Sequence, residues 1–248
     1  MHSITWKLFS ASFGANWSLV RPFVNMYLMR DGNRFTDRTD YATMQYMDEF
    51  QNRDCRLMQT VISPSYQRKI SGTVKPDAPN FSMTSTGYQL IKWAIDDDVH
   101  VGKATANNSI PIFRYAEVLL FLAEALNEQG KPEALSYLNQ VHAHPRTGLA
   151  PITTTNQTEL RELIQQERRI ELAFENKRWL DLVRTGKAIE VMTEFGKRFK
   201  ADPTKYYYPK NVFPAAEAFT VTTERLLFPI PQREIRLNPD IMIQNPGY

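Results

Sequence analysis

The twenty residues ERRIELAFENKRWLDLVRTG, Glu167 to Gly186, hold the densest collection of groups that could do chemistry. Nine of them are charged: Glu167, Arg168, Arg169, Glu171, Glu175, Lys177, Arg178, Asp181 and Arg184. Glu167 and Glu171, one helical turn apart, could supply the acid and the base or nucleophile of glycoside hydrolysis. The surrounding arginines argue against it. A guanidinium beside a carboxyl lowers its pKa, whereas a general acid needs it raised. On a helix whose apolar stripe is Leu160, Leu163, Ile164, Ile170 and Phe174, position 167 falls on the stripe and position 171 beside it. Burying a carboxylate alone is costly, so both need partners. Arg168, Arg178 and Arg184 are the nearest in sequence, and Arg178 and Asp181 have the i, i+3 spacing of a pair. Glu167, Arg168, Glu171, Arg178, Asp181 and Arg184 therefore read as a structural charge network that locks helices, with no catalytic residue among them.

Other chemistries find little footing. The lone cysteine, Cys55, excludes an intrachain disulfide and a cysteine-built zinc site. His142 and His144, two apart, do not share a helical face, and read as a solvated pair at a helix end before Pro145. Neither a metal nor a cofactor is expected. The 30 basic and 27 acidic residues are mixed along the chain, without the basic block or face of a nucleic-acid binder. No window reaches the ~18 apolar residues of a membrane helix. The start, MHSITWKLFSASF, lacks the apolar run and small-residue cleavage site of a signal peptide.

The elements that must position the charged stretch are helical. In IPIFRYAEVLLFLAEALNEQG (110–130), Tyr115, Val118, Leu119, Leu122 and Leu126 define one buried stripe, and Gly130 suits the position just past a helix end. A second helix, PEALSYLNQVHAH, places Ala134, Leu135, Leu138 and Val141 on one face and stops at Pro145. Asn156, with Glu159 three residues on, caps a third. A fourth begins near Asn176 and carries Trp179, Leu182, Val183, Ile189 and Met192. Two helix pairs in succession predict helical hairpins of the tetratricopeptide kind. The first 110 residues are irregular: a possible helix over YATMQYMDEFQNRD, a strand at LMQTVI, a long exposed loop from Ser63 to Thr86, and a short strand in TGYQLIKWAI. Beyond Phe199, prolines at 229, 231, 239 and 246 favour an extended tail over a surface.

Several of these segments, in order, resemble the SusD/RagB family of Bacteroidetes glycan-binding lipoproteins. ERRIELAFENKRWLDLVRTG is similar to that family's signature, PIFRYAEVLLFLAEALNEQG to its preceding helix, and ALSYLNQVHAHPRTGL to its LN-x-VR-x-RAGL segment, with His142 and His144 where arginine is common. LLFPIPQREIRLNPDIMIQNPGY resembles its C-terminal ending. VNMYLMRDGNRF and NRDCRLMQTVI resemble its DG and RDPRL stretches, with Cys55 in place of proline. The resemblance spans about residues 20 to 248 and implies a mainly α fold, a tetratricopeptide-like scaffold with long irregular loops and a few short strands. It further implies a non-catalytic, surface-exposed lipoprotein of the outer membrane. Such a protein binds an oligo- or polysaccharide over a SusC-like, TonB-dependent transporter. Members of about twice this length begin with a signal peptide and a lipidated cysteine, so the chain reads as a C-terminal half: a loop-rich ligand-side segment (1–109), helical hairpins (110–199) and a wrapping tail (200–248).

Sugar sites need aromatic platforms flanked by amide, carboxylate or guanidinium groups. Tyr115, Phe174 and Trp179 sit at core spacing and read as packing, as do Tyr88 and Trp93. The loop residues Asn16 with Trp17, Tyr66 with Arg68, and Phe81 are the candidate glycan contacts. A tetratricopeptide-like protein-interaction scaffold is the main alternative function, and a glycoside hydrolase the lesser one.

Overall fold

The computed structural model describes residues 18–76, 84, 86–92, 111–206 and 221–248. The chain divides into two compact units, Met1–Asn176 with Thr204–Pro214, and Lys177–Pro203 with Ala215–Tyr248.

The first unit is built around three helices, α3 (Tyr115–Glu128), α4 (Glu133–His142) and α5 (Gln157–Glu171). The α3–α4 hairpin closes at Gly130, whose positive φ lets Gly130 N–H reach Asn127 O at 2.9 Å and Lys131 N–H reach Leu126 O at 2.9 Å. That double bond pattern satisfies carbonyls that a helix end otherwise leaves orphaned. Helix α5 starts at its expected cap, Asn156, whose Oδ1 accepts from Glu159 N–H at 3.0 Å. The Glu159 carboxylate turns to Thr154 Oγ1 instead of closing a reciprocal capping box. Leu119, Leu120, Ala123, Leu138, Val141, Leu160 and Ile164 form the core shared by the three helices.

Helix α3 is rotated from the expected stripe. Tyr115 is 72% exposed and Val118 51%, while Glu117, Leu120, Ala123 and Asn127 face inward. The helix is apolar on more than one face, so counting apolar residues does not fix its orientation. Buried Arg168 does: its guanidinium lies 3.9 Å from the Glu117 carboxylate and 4.3 Å over the Phe121 ring.

A second core in the same unit gathers the preceding segments: α1 (Arg21–Val24), α2 (Arg56–Thr60), the pair of β1 (Ser18–Leu19) with β4 (Tyr88–Gln89), and the end of α5. Here LMQTVI is mostly helix rather than strand. Asp54 Oδ1 accepts Arg56 N–H at 2.9 Å and starts α2, after which Val61 bridges Leu90 and Ile62 N–H bonds Gln89 O at 3.0 Å. YATMQYMDEFQNRD gives turns and one 3-10 turn, Asp48–Phe50, around the buried rings of Tyr46 and Phe50. The expected loop after Ser63 contains a hairpin, β2 (Gln67–Ile70) with β3 (Thr73–Pro76), turning at Ser71 and Gly72. Strand β3 is exposed throughout, so no apolar alternation announces it.

In the second unit the single expected helix is two, α6 (Arg178–Arg184) and α7 (Ala188–Ala201). The break is Gly186: Gly186 N–H bonds Val183 O at 3.0 Å and Lys187 N–H bonds Leu182 O at 2.9 Å, the same closure as at Gly130. The C-terminal residues are not wholly extended, since Gln232–Leu237 forms α8. The Gln244 side chain then holds the backbone of Ile230 through both N–H and C=O, at 2.8 and 3.0 Å. Among the described residues, no helix is long and apolar enough to cross a membrane.

Candidate functional site

A dense cluster of charges in the first unit lies among α2, the start of α3, the end of α4 and the last turns of α5. Glu167 and Glu171 project inward from the last turns of α5 and are 3% and 4% exposed. Their partners come from far off in sequence. Arg56, at the start of α2, donates through NH1 to Glu167 Oε1 and to Glu171 Oε2 (2.9 Å), and through Nε and NH2 to Asp54 at 2.8–3.1 Å. Arg114, just before α3, donates to Glu171 Oε1 at 2.8 Å and to Glu175 at 2.8 and 3.0 Å. Arg146, after α4, donates to Glu171 Oε1, and Lys92 donates to Glu175 Oε1 at 2.6 Å. His142 Nδ1 lies 2.9 Å from Glu167 Oε2. An ionised carboxylate only accepts, so Nδ1 carries the proton there.

Electrostatics keeps Glu167 and Glu171 charged. Burial pushes the Glu171 carboxyl up, but Arg56, Arg146 and Arg114 outweigh it and hold it at about 2. Burial likewise opposes ionisation of Glu167, and Arg56 with His142 overcomes it, leaving the carboxyl below its usual range. Burial lowers the Lys92 ammonium more than Glu175 raises it. Glu175 is aimed inward by backbone strain, for it sits between Phe174 at φ +59° and Asn176 at φ +58°. Left-handed conformations at non-glycine residues cost of order 1–3 kcal/mol each and persist only where the surroundings fix them. The two bonds from Arg114 and one from Lys92 do so here.

The network thus differs from the one expected. Glu167 and Glu171 are core-facing, but Arg168 serves Glu117 and Phe121 instead. In the second unit, Asp181 accepts from Arg184 Nε at 2.9 Å, and burial lowers the Arg178 guanidinium despite the nearby Asp181 charge. His142 is buried and paired, not solvated, whereas His144 is exposed. Sequence proximity misled because helix neighbours point to different sides. The better signal lay in the quoted segments: RDCRL supplies Asp54 and Arg56, PIFRYAEV supplies Arg114, NQVHAHPRTGL supplies His142 and Arg146, and ERRIELAFE supplies Glu167, Glu171 and Glu175. Each segment gives at least one member of a single cluster.

A cleft of about 210 Å³ opens on this cluster, lined by Arg56, Gln59, Thr60, Lys92, Arg114, Arg146, Ile170, Glu171 and Glu175. Of the candidate sugar contacts, Tyr66 and Arg68 lie half-buried at the start of the β2–β3 hairpin, apart from the cleft lining. Asn16, Trp17 and Phe81 lie outside the described residues, as does Trp93. Tyr88 is fully buried and donates to Glu49 at 2.7 Å. Among the described residues, no group of three or more His, Cys, Asp or Glu is placed to hold a metal ion.

A second buried charge centre holds the irregular segment together. Arg53 donates to the carbonyls of Val24, Tyr27 and Glu49 at 2.7–3.0 Å and stacks 3.9 Å over Phe35. Burial lowers its guanidinium to about 10.

Comparison with known proteins places this architecture. The SusD-like protein P2 of Formosa agariphila is 39% identical over 155 residues, which are 59% of this chain and 27% of that protein. The SusD-like protein P38 of the same organism is 41% identical over 102 residues, 38% of this chain and 20% of that protein. A solved SusD-like protein from Bacteroides fragilis superposes with a TM-score of 0.65 at 26% identity, covering 92% of this chain and 46% of the other. A SusD-like carbohydrate binding protein from the same species gives 0.61 at 26% identity, over 90% and 48%. The chain therefore spans less than half the length of these relatives. The sequence profile of the SusD family matches residues 10–248, and the chain belongs to that family.

Proposed function

We propose that this chain is part of a non-catalytic, surface-exposed lipoprotein of the outer membrane. In this reading it binds an oligo- or polysaccharide and passes it to a SusC-like, TonB-dependent transporter. The observation that carries the proposal is family membership over residues 10–248, together with likeness to a relative described as carbohydrate binding. The charge cluster supports the non-catalytic part. Glu167 and Glu171 are buried, spent on arginines and held below the usual carboxylate range, so neither is suited to donate a proton near neutral pH. Asn16, Trp17, Tyr66, Arg68 and Phe81 remain the proposed sugar contacts, with the aromatic faces as platforms.

Affinity electrophoresis of the chain through gels containing a panel of polysaccharides tests the reading. Retardation by at least one glycan is expected, weakened by Trp17→Ala or Tyr66→Ala at unchanged thermal stability. Free migration through every gel would refute it. Co-purification with a β-barrel from solubilised outer membranes tests the transporter step.

The second reading, a protein-interaction scaffold, draws on one observation: α3 presents Tyr115, Val118 and Leu122 outward. Under that reading Tyr115→Glu abolishes partner capture and leaves glycan retardation untouched.

A further inference from the structure

The charges of the cluster balance in number but not in depth. Four cations, Arg56, Lys92, Arg114 and Arg146, face four carboxylates, Asp54, Glu167, Glu171 and Glu175. The carboxylate side chains are 1–3% exposed, whereas Arg114 is 26% and Arg146 38% exposed. The cleft mouth is therefore a positive surface over a buried negative floor, and such a concave positive surface concentrates anions.

Donor bookkeeping gives the same direction. A guanidinium has five N–H donors. Arg56 turns all of its nitrogens inward, to Asp54, Glu167 and Glu171. Arg114 engages Nε, one NH1 donor and one NH2 donor, and Arg146 engages a single NH2 donor with Glu171. Among the described residues, two donors on Arg114 and four on Arg146 are left for whatever enters. The acceptors of Glu171 and Glu175 are already taken by Arg56, Arg114, Arg146 and Lys92. Apart from Gln59 and Thr60, which can donate or accept, the charged groups open to a solute in the cleft are donors, which suits a compact group that only accepts. At about 210 Å³ the space is below the roughly 300–1,000 Å³ of pockets that enclose a whole small ligand. It has room for the charged substituent of a larger ligand.

We propose that this cleft receives the acid group of an anionic glycan, a uronate carboxylate or a sulfate ester, on the outward donors of Arg146 and Arg114. The assignment rests on the glycan-binding reading above and adds the charge class of the sugar. Arg146 anchors the group with its planar fork, which matches two oxygens at once. Arg114, fixed by Glu171 and Glu175, supplies the rigid side.

Isothermal titration of the whole chain with three trisaccharides, trigalacturonate, a sulfated galactotriose and neutral galactotriose, tests it, with sodium sulfate as competitor. At least one acidic trisaccharide should bind roughly tenfold more tightly than the neutral one, the effect of one charge-assisted hydrogen bond. Sulfate should compete with it, and the stronger acidic ligand identifies the group. Arg146→Gln should cut the preference to about twofold or less, and Arg146→Lys should keep part of it. Raising sodium chloride should erode the preference of the unaltered protein, a readout that needs no variant. Equal affinity for acidic and neutral sugars, or a preference that survives Arg146→Gln, overturns the assignment and leaves glycan binding standing. Sulfate binding with no trisaccharide bound overturns this assignment, whereas the glycan reading falls only on free migration through every polysaccharide gel.

Discussion

Replacing Glu171 with Gln removes one charge from the centre of the cluster and keeps the side chain's shape. In the folded protein this carboxylate accepts from Arg56 at 2.9 Å, from Arg114 at 2.8 Å and from Arg146. Its carboxyl is held at about 2 against an ordinary 4.5. At ~1.36 kcal/mol per pKa unit, that difference contributes on the order of 3 kcal/mol of stability at neutral pH. The sign follows from the depressed value: the contribution is complete above pH 4.5 and is lost as pH falls through about 2. Gln also sets an amide N–H₂ against guanidinium donors, leaving groups unpaired at about 1–3 kcal/mol. We expect Glu171→Gln to cost about 3–5 kcal/mol at pH 7, the range for breaking a buried ion pair. Urea unfolding followed by circular dichroism at pH 7, 4.5 and 3 measures it. The gap between the two proteins should be widest at pH 7 and narrower by pH 3, where roughly half of the ionisation contribution has gone. A variant within ~1 kcal/mol of the parent at pH 7, or a gap independent of pH, would refute the view of this cluster as a clasp.

Three further outcomes are expected. Leu120→Ala should destabilise by about 2–5 kcal/mol and Tyr115→Ala by about 0.5 or less, because the first side chain is fully buried and the second 72% exposed; the reverse ranking in thermal unfolding would restore the apolar-count orientation of α3. Asn156→Ala should cost about 1 kcal/mol through loss of the α5 cap, read by denaturant titration, with Asn156→Gly close to neutral. Glu167→Gln should lower the thermal midpoint sharply, since Arg56 and His142 both lose a buried anion; unchanged stability together with abolished polysaccharide hydrolysis would reassign the residue to catalysis.

The helices were legible where a single face decides them. Helices α4 and α5 bury Ala134, Leu138, Val141, Leu160, Ile164 and Ile170 as their spacing predicts, with Leu135 and Leu163 half-buried and Phe174 past the end of α5, and the Asn156 cap and Gly130 closure lie where local chemistry demands. Helix α3 was legible as a helix but not in its rotation, because a buried Glu117–Arg168 contact between residues far apart overrides an apolar count. The helix break at Gly186 was available in principle, since a lone glycine in a helical pattern is also a stop signal. The β2–β3 hairpin was not, because exposed polar strands carry no alternation. At the charge cluster, the inward direction of Glu167 and Glu171 followed from periodicity, whereas the identity of their partners is a tertiary fact. Arg56 lies 111 residues from Glu167 and 115 from Glu171, separations across which no local rule operates.

The same separations make the first unit a split lock. The members of the cluster up to Lys92, namely Asp54, Arg56 and Lys92, sum to one formal positive charge, while the arginines and carboxylates beyond it, Arg114, Arg146, Glu167, Glu171 and Glu175, sum to one formal negative charge. The arginines, lysine and carboxylates of neither side cancel among themselves. Two peptides divided between Lys92 and Arg114 would each hold half of a matched key, electrostatically drawn to the other. Covalent continuity there mainly raises the effective concentration of one half for the other.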